Sequence, residues 1–116
     1  MYKLVFHPTL AARWQNFSPT QQIFMIGNEL NRALNAHRDH DLINSRDALE
    51  RAFELLDLAI ASSRSNLQRE MLRLREVLAG FYENPSEYSE KDFKNIIKVL
   101  LSFNSEAFNT LAEQYS

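Results

Sequence analysis

The sequence predicts an all-α protein, an antiparallel four-helix bundle with a short extra helix or segment at its N-terminus. Three observations support this class. Glycine and proline are scarce, with two and three residues among 116, too few for the repeated tight turns of a β-sandwich or barrel. Apolar residues recur at the three-and-four spacing of helix faces. Serines precede several of these stretches at the position that caps a helix N-terminus.

Length and composition restrict the class further. The hydrophobic fraction of 45% and the charged fraction of 24% match one globular domain, so residues 1–116 are treated as a single helical-bundle domain. The lack of cysteine excludes disulfides and thiolate metal sites. A net charge of -2 gives no global attraction to nucleic acid or to anionic membranes. No apolar run approaches the ~20 residues of a membrane span, and we expect a cytoplasmic protein.

The chain before residue 18 is expected to lie across the bundle. Residues 8–17 predict a short helix with Trp14 and Phe17 packed inward. Residues 2–6 alone have the pattern of a strand, but the sequence supplies no second strand to pair with them.

The first long helix is predicted to begin at Pro19, with Ser18 as its N-cap and Gln21 able to reach back to the N-cap amide. Its apolar face consists of Ile23, Ile26, Leu30, Ala33 and His37. Extending that face would bury Asn44 and Asp47. We therefore place a break within residues 38–45.

The next two helices follow from a new phase of the apolar pattern. The second helix face is formed by Leu49, Phe53, Leu56 and Ile60. Ser65, with Gln68 three residues on, predicts the N-cap of the third helix. The clearest periodicity in the chain belongs to Leu67, Met71, Leu74, Leu78 and Phe81. Pro85 ends this helix, because proline disfavours the α conformation of the residue before it.

Ser89 and Asp92 predict the start of the last helix. Its face contains Phe93, Ile97, Leu100, Phe108 and Leu111. The pair Asn104 and Ser105 is expected to kink or split it. Because the connections between the helices are short, antiparallel neighbours are favoured.

A polar cluster at the end of the first long helix gives candidate metal ligands. His37 and His40 lie three residues apart, with Asp39 or Asp41 available as oxygen donors. The Glu-x-x-His and His-Glu-x-x-His motifs of helical metal sites are missing from the sequence. We therefore predict no metal and no cofactor. The simpler interpretation is that these side chains are solvated at a helix C-terminus.

Arg32, followed by His37 five residues later, resembles the Arg-x4-6-His signature of the helical HEPN superfamily, whose members act on RNA in a groove between two subunits. The resemblance implies that Arg32 holds a phosphate while His37 moves a proton, a role for which a near-neutral pKa is suited. Two departures weaken it. The pair falls in the first third of the chain, and Ala33 replaces the polar residue that often follows the arginine.

A second cluster is charged. Glu54 and Asp57 follow one side of the second helix, and Arg69 and Arg73 lie on the third. We expect an arginine to pair with one of these carboxylates across the helix interface and to set its register. The alternative is that Arg69 and Arg73 belong, with Arg64, to a phosphate-binding stripe for RNA.

Three stretches resemble a family of small uncharacterised prokaryotic helical proteins. They are IGNELNRA (26–33), ALERAFELLDL (48–58) and LRLREVL (72–78). The resemblance covers about residues 23–82 and implies a helical fold and a prokaryotic cytoplasmic setting, with no activity attached. The polar set that it implies is Glu29, Arg32, Glu54, Asp57, Arg73, Arg75 and Glu76.

The sequence contains no glycine-rich phosphate loop, nucleophile elbow or Ser-His-Asp arrangement that can be recognised. It does supply generous apolar helix faces. We therefore expect a non-enzymatic protein-protein interaction module that forms a homodimer. The alternative is a HEPN-like ribonuclease, or the partner of a nucleotidyltransferase, using Arg32 and His37.

Overall fold

The computed structural model describes residues 9–115, and within that range the protein is all-α. The α-helices are α1 (Pro19–Arg38), α2 (Leu42–Ser62), α3 (Ser65–Glu83), α4 (Glu90–Leu101) and α5 (Ser105–Leu111). Short 3-10 helices lie at Ala11–Asn16, Pro85–Glu87 and Ala112–Tyr115. These residues form no strand, which confirms the predicted class. The strand predicted at residues 2–6 lies outside the described range.

Reciprocal capping boxes set the starts of α1 and α4, as predicted. The Ser18 hydroxyl accepts from the Gln21 amide at 3.1 Å, and the Gln21 side chain accepts from the Ser18 amide at 2.8 Å. Ser89 and Asp92 form the same pair of hydrogen bonds at 3.2 and 2.8 Å. Each N-cap stabilises its helix by about 1 kcal/mol, so these serines fix where the helices begin.

The prediction that Ser65 caps the third helix is wrong. Arg64 occupies the N-cap position without a side-chain hydrogen bond, and Ser65 is already the first residue of α3. The Gln68 side-chain amide instead donates to the carbonyl of Ile60 at 2.9 Å. Only two residues connect α2 to α3, so this short link, rather than the serine, determines where α3 starts.

The predicted break between the first two long helices is confirmed, and α1 ends in a Schellman motif. The Asp41 amide donates to the carbonyl of Ala36 at 2.8 Å, and the His40 amide donates to that of His37 at 3.1 Å. His40 has a φ of 57°, in the left-handed region where glycine is usual. The Asp41 side chain then caps α2 by accepting from the Asn44 amide at 3.1 Å.

The core lies between α1, α2 and α4, with α3 closing one side. α1 packs mainly against α2 and α4, α2 also packs against α3, and α3 touches α4 over a shorter length. The predicted core residues Ile26, Leu30 and Leu78 are fully buried. For two other residues the prediction of burial is wrong, since Leu67 is 39% exposed and Phe108 is 40% exposed.

Both errors have a geometric cause. Leu67 lies in the first turn of α3, at the end of the bundle. The last predicted helix splits at Asn104, whose side chain caps α5 by accepting from the Ala107 amide at 2.9 Å. After the split the buried face has a new phase, and Ala107 is buried instead of Phe108.

Candidate functional site

The polar cluster predicted at the end of α1 borders a cleft of about 230 Å³. Its lining residues are His37, His40, Asp41, Leu42, Ser45, Pro85 and Ser86. The cleft therefore lies between the α1–α2 connection and the 3-10 helix Pro85–Glu87. We call it the histidine cleft.

The two imidazoles reach the histidine cleft by different routes. His37 projects from α1, and its ring packs against Phe93 of α4 with 4.7 Å between the ring centroids. His40 is exposed and is placed by the left-handed turn. The Asp41 carboxylate is already engaged by Asn44, accepting from its backbone amide at 3.1 Å and from its side-chain amide at 2.5 Å.

The histidine cleft offers no complete metal site. In the part of the chain that the structure describes, no group of three or more His, Cys, Asp or Glu side chains could hold a metal ion. Asp39, the other oxygen donor considered, is exposed and does not line the cleft. His37 and His40 border one cleft, but His40 lies in the turn after α1 rather than on the same helix face, so the helical spacing that suggested a shared metal site does not apply.

Arg32 is held away from the histidine cleft by a buried carboxylate. Its guanidinium binds Glu29 at 2.5 Å, and the second oxygen of Glu29 accepts from Nε of Arg51 on α2 at 2.6 Å. Five residues separate Arg32 from His37, which turns the helix by about 140° beyond a full turn. Arg32 does not line the cleft that His37 borders.

Sequence reasoning missed the burial of Glu29. Glu29 is only 5% exposed. Glutamate is almost never fully buried unless it is paired. Glu54, three residues from Arg51 on α2, is also buried, at 6% exposed. The available signal was the position of Glu29 beside Leu30, at the edge of the apolar face of α1.

An ion pair does cross the α2–α3 interface, and it uses Asp57, one of the two predicted carboxylates, but the predicted arginines were wrong. Arg75, not Arg69 or Arg73, binds Asp57 through two hydrogen bonds of 2.7 and 3.2 Å. Its guanidinium also lies 5.0 Å from the centre of the Phe53 ring. Two residues turn a helix by about 200°, so Arg73 faces away from α2 and pairs with Glu70 at 2.9 Å.

The same interface carries a network around Tyr82. Its hydroxyl donates to Glu50 at 3.3 Å, and its carbonyl accepts from Nε of Arg46 at 3.0 Å. Burial raises the pKa of Tyr82, and the negative charge of Glu50 raises it further. Both partners lie on α2, so the network joins the last turn of α3 to that helix. We assign it a structural role.

An apolar groove runs between α3 and α4, with a volume of about 240 Å³. Its lining residues are Val77, Phe81, Tyr88, Asp92, Asn95, Ile96 and Val99. Val77 and Val99 are 46% and 44% exposed. We call this the α3–α4 groove. Sequence reasoning missed it because the valines flank the buried face of each helix rather than forming part of it.

Aromatic side chains close one end of the α3–α4 groove. Phe81 meets Phe93 edge to face, with 4.8 Å between the ring centroids. Tyr88 stacks on the other side of Phe81 at 3.9 Å, and Gly80 leaves room for its hydroxyl against α3. The helices are therefore joined at this end, while the valines line an open stretch.

Searches of known protein families, characterised proteins and solved structures find no match to this chain. The likeness to prokaryotic helical proteins and to the HEPN superfamily therefore stays a prediction. Among residues 9–115, no helix combines the length and apolar character needed to cross a membrane.

Proposed function

We propose that this protein is a non-enzymatic protein-protein interaction module that forms a homodimer through the α3–α4 groove. The observation that carries the proposal is the pair of valines, Val77 and Val99, each nearly half exposed on facing walls of an apolar groove. Helices α1 to α4 form an antiparallel bundle in this proposal, with its α3–α4 side completed by the partner.

The composition of the α3–α4 groove suits an interface. Homodimer interfaces combine an apolar core with a polar rim, and burial of apolar surface contributes about 25 cal/mol per Å². Val77, Ile96 and Val99 supply the core. Asp92 and Asn95, which also line the groove, supply polar groups for the rim.

The charges beside Val77 favour a second copy of the same chain as the occupant. Glu70 and Arg73 lie about two turns and one turn before Val77 on α3, with side chains 48% and 68% exposed. A two-fold axis requires a surface to complement itself. Antiparallel packing of α3 against its copy brings Glu70 of one subunit towards Arg73 of the other, so both signs are matched.

The test is light scattering coupled to size exclusion at micromolar concentration. The wild type should be a dimer, and Val77→Asp should be monomeric, because a buried charge without a partner opposes association. Leu72→Asp is the matched control, since Leu72 is 49% exposed on the same helix but does not line the groove. A monomeric wild type, or equal disruption by both variants, would overturn the proposal.

The competing proposal is a HEPN-like ribonuclease or nucleotidyltransferase partner. The histidine cleft supports it, since His37 borders a space of about 230 Å³. Arg32 would have to exchange Glu29 for a phosphate to act with His37. RNA cleavage that is lost in both His37→Ala and Arg32→Ala would establish this mechanism, and cleavage unchanged by His37→Ala would remove it.

A further inference from the structure

A row of lysines lies along α4 beside the α3–α4 groove, and the cleft that they border shares Asn95 with that groove. Lys91, Lys94 and Lys98 recur at the three-and-four spacing that places residues on one helix face. They border a second cleft, of about 640 Å³. The lining of this cleft is Ser89, Glu90, Lys91, Lys94, Asn95, Lys98 and Tyr115. We call it the lysine cleft.

The one carboxylate lining the lysine cleft is already compensated. Glu90 binds Nε and a terminal nitrogen of Arg38, each at 2.6 Å, and Nζ of Lys94 lies 3.7 Å away. The hydrogen bond from Arg38 lowers the pKa of Glu90. Arg38 thus balances Glu90, and the three lysines give the cleft a local positive charge on a chain whose net charge is -2.

We propose that the lysine cleft binds single-stranded nucleic acid through its phosphates. Lys91 and Lys98 lie seven residues apart, which is about 10 Å along a helix. A nucleic acid strand carries a phosphate about every 3.4 Å along a stacked helix, so three charges fit that length. The row of lysines therefore spans about the length of a short run of phosphates and carries the opposite charge.

The rest of the lining favours a nucleic acid over an acidic protein. Protein interfaces have an apolar core, whereas the lysine cleft contains only polar and charged side chains and Tyr115. The Asn95 amide supplies a donor for phosphate or sugar oxygens. Tyr115, which is partly buried against the core and fixed by a hydrogen bond of 2.9 Å from its hydroxyl to Asn31, lines the cleft as its single aromatic side chain.

The experiment measures fluorescence anisotropy of a labelled oligouridine with the full chain. If three phosphates are neutralised, affinity should fall about 20-fold between about 50 and about 200 mM salt. The triple variant Lys91→Gln, Lys94→Gln, Lys98→Gln should lose at least roughly tenfold in affinity at the lower salt, together with most of this salt dependence.

The matched control lowers the net charge equally at three exposed residues that do not line the cleft, as Arg13→Gln, Asn66→Glu and Asn109→Glu. It should bind like the wild type. Equal loss in the two variants, or no binding by the wild type at the lower salt, would overturn the proposal. Competition by an oligoglutamate peptide as strong as that by unlabelled RNA would also overturn it, in favour of an acidic protein partner.

Discussion

The contact between α1 and α2 and the contact between α3 and α4 are built differently. α1 and α2 pack along their length through small buried residues, among them Ala33, Ala48 and Ala52, each at most 1% exposed. The Ser45 hydroxyl donates to the Ala33 carbonyl at 3.4 Å across this contact. α3 and α4 instead meet at an aromatic cluster and then leave apolar side chains exposed.

This difference suggests that the α1–α2 contact stabilises the fold, whereas the α3–α4 groove is suited to binding a partner. Buried small residues and the Glu29 carboxylate with its two arginines give the α1–α2 contact a defined register, and few other arrangements would pair these charges. The α3–α4 groove leaves apolar area that a partner can bury. We expect substitutions in the first region to change the free energy of unfolding, and substitutions in the second to change assembly.

The largest effect is expected at Glu29. Glu29→Ala should lower the free energy of unfolding by about 2 to 3 kcal/mol, because it removes a buried carboxylate that binds Arg32 on its own helix and Nε of Arg51 across a packed interface. This loss of stability is at or below the smallest losses expected when a buried ion pair is broken. It is small because the Arg32 side chain is 63% exposed and can be hydrated. Urea unfolding followed by circular dichroism measures it.

Glu70→Ala is the control for Glu29→Ala. It also breaks an ion pair between residues three apart, with Arg73, but both side chains are largely exposed. Surface pairs of this kind contribute at most about 0.5 kcal/mol. If the two variants were equally stable, the carboxylate of Glu29 would not hold α1 and α2 in register.

A smaller effect is expected at the closed end of the α3–α4 groove, where Gly80 faces Tyr88. A Cβ at residue 80 would lie 2.5 Å from the Tyr88 hydroxyl but 3.5 Å from the ring carbon that bears it. Alanine is favoured over glycine in a helix by about 1 kcal/mol. Gly80→Ala should therefore stabilise the Tyr88→Phe variant by about that amount, and the wild type by much less.

A double-mutant cycle of these substitutions, measured by urea unfolding, gives the coupling between residues 80 and 88. Its expected size is about 1 kcal/mol, since the glycine is needed only while the hydroxyl is present. Equal stabilisation by Gly80→Ala in both backgrounds would mean that Tyr88 is not held against α3. The groove would then lack its closed end.

Much of the helical architecture was predictable because it depends on local rules. Ser18 and Ser89 cap helices through bonds that span three residues, and proline ends α3 through its own geometry. Where a longer-range factor competes, the local rule failed. Ser65 has the capping pattern, but the two-residue link from α2 places it inside the helix.

The candidate sites were predicted less well because they depend on which helix faces meet. The sequence indicated an ion pair between α2 and α3, but choosing Arg75 over Arg73 requires the rotation of α3 about its axis. Arg32 and His37 are only five residues apart in sequence, but Arg32 pairs with Glu29 while the His37 ring packs against Phe93. The lysine spacing on α4 was visible in the sequence and was overlooked.

The smallest effect is expected at His40, where the α1–α2 contact imposes an unfavourable backbone conformation. A left-handed residue other than glycine costs roughly 1 kcal/mol, and such strain persists only where the surroundings over-determine it. His40→Gly should raise the free energy of unfolding by about 0.5 kcal/mol, because relief of strain exceeds the added freedom of the unfolded chain.

His40→Ala, which keeps the strain and removes the imidazole, is the matched variant for the same urea unfolding measurement. If the free energy of unfolding rises with glycine but not with alanine, the packing of α1 on α2 imposes the left-handed conformation on residue 40. A loss with both would mean instead that the imidazole, at the edge of the histidine cleft, stabilises the fold through its own contacts. Strain would then be offset locally by the side chain, and the α1–α2 contact would be less dominant than its packing indicates.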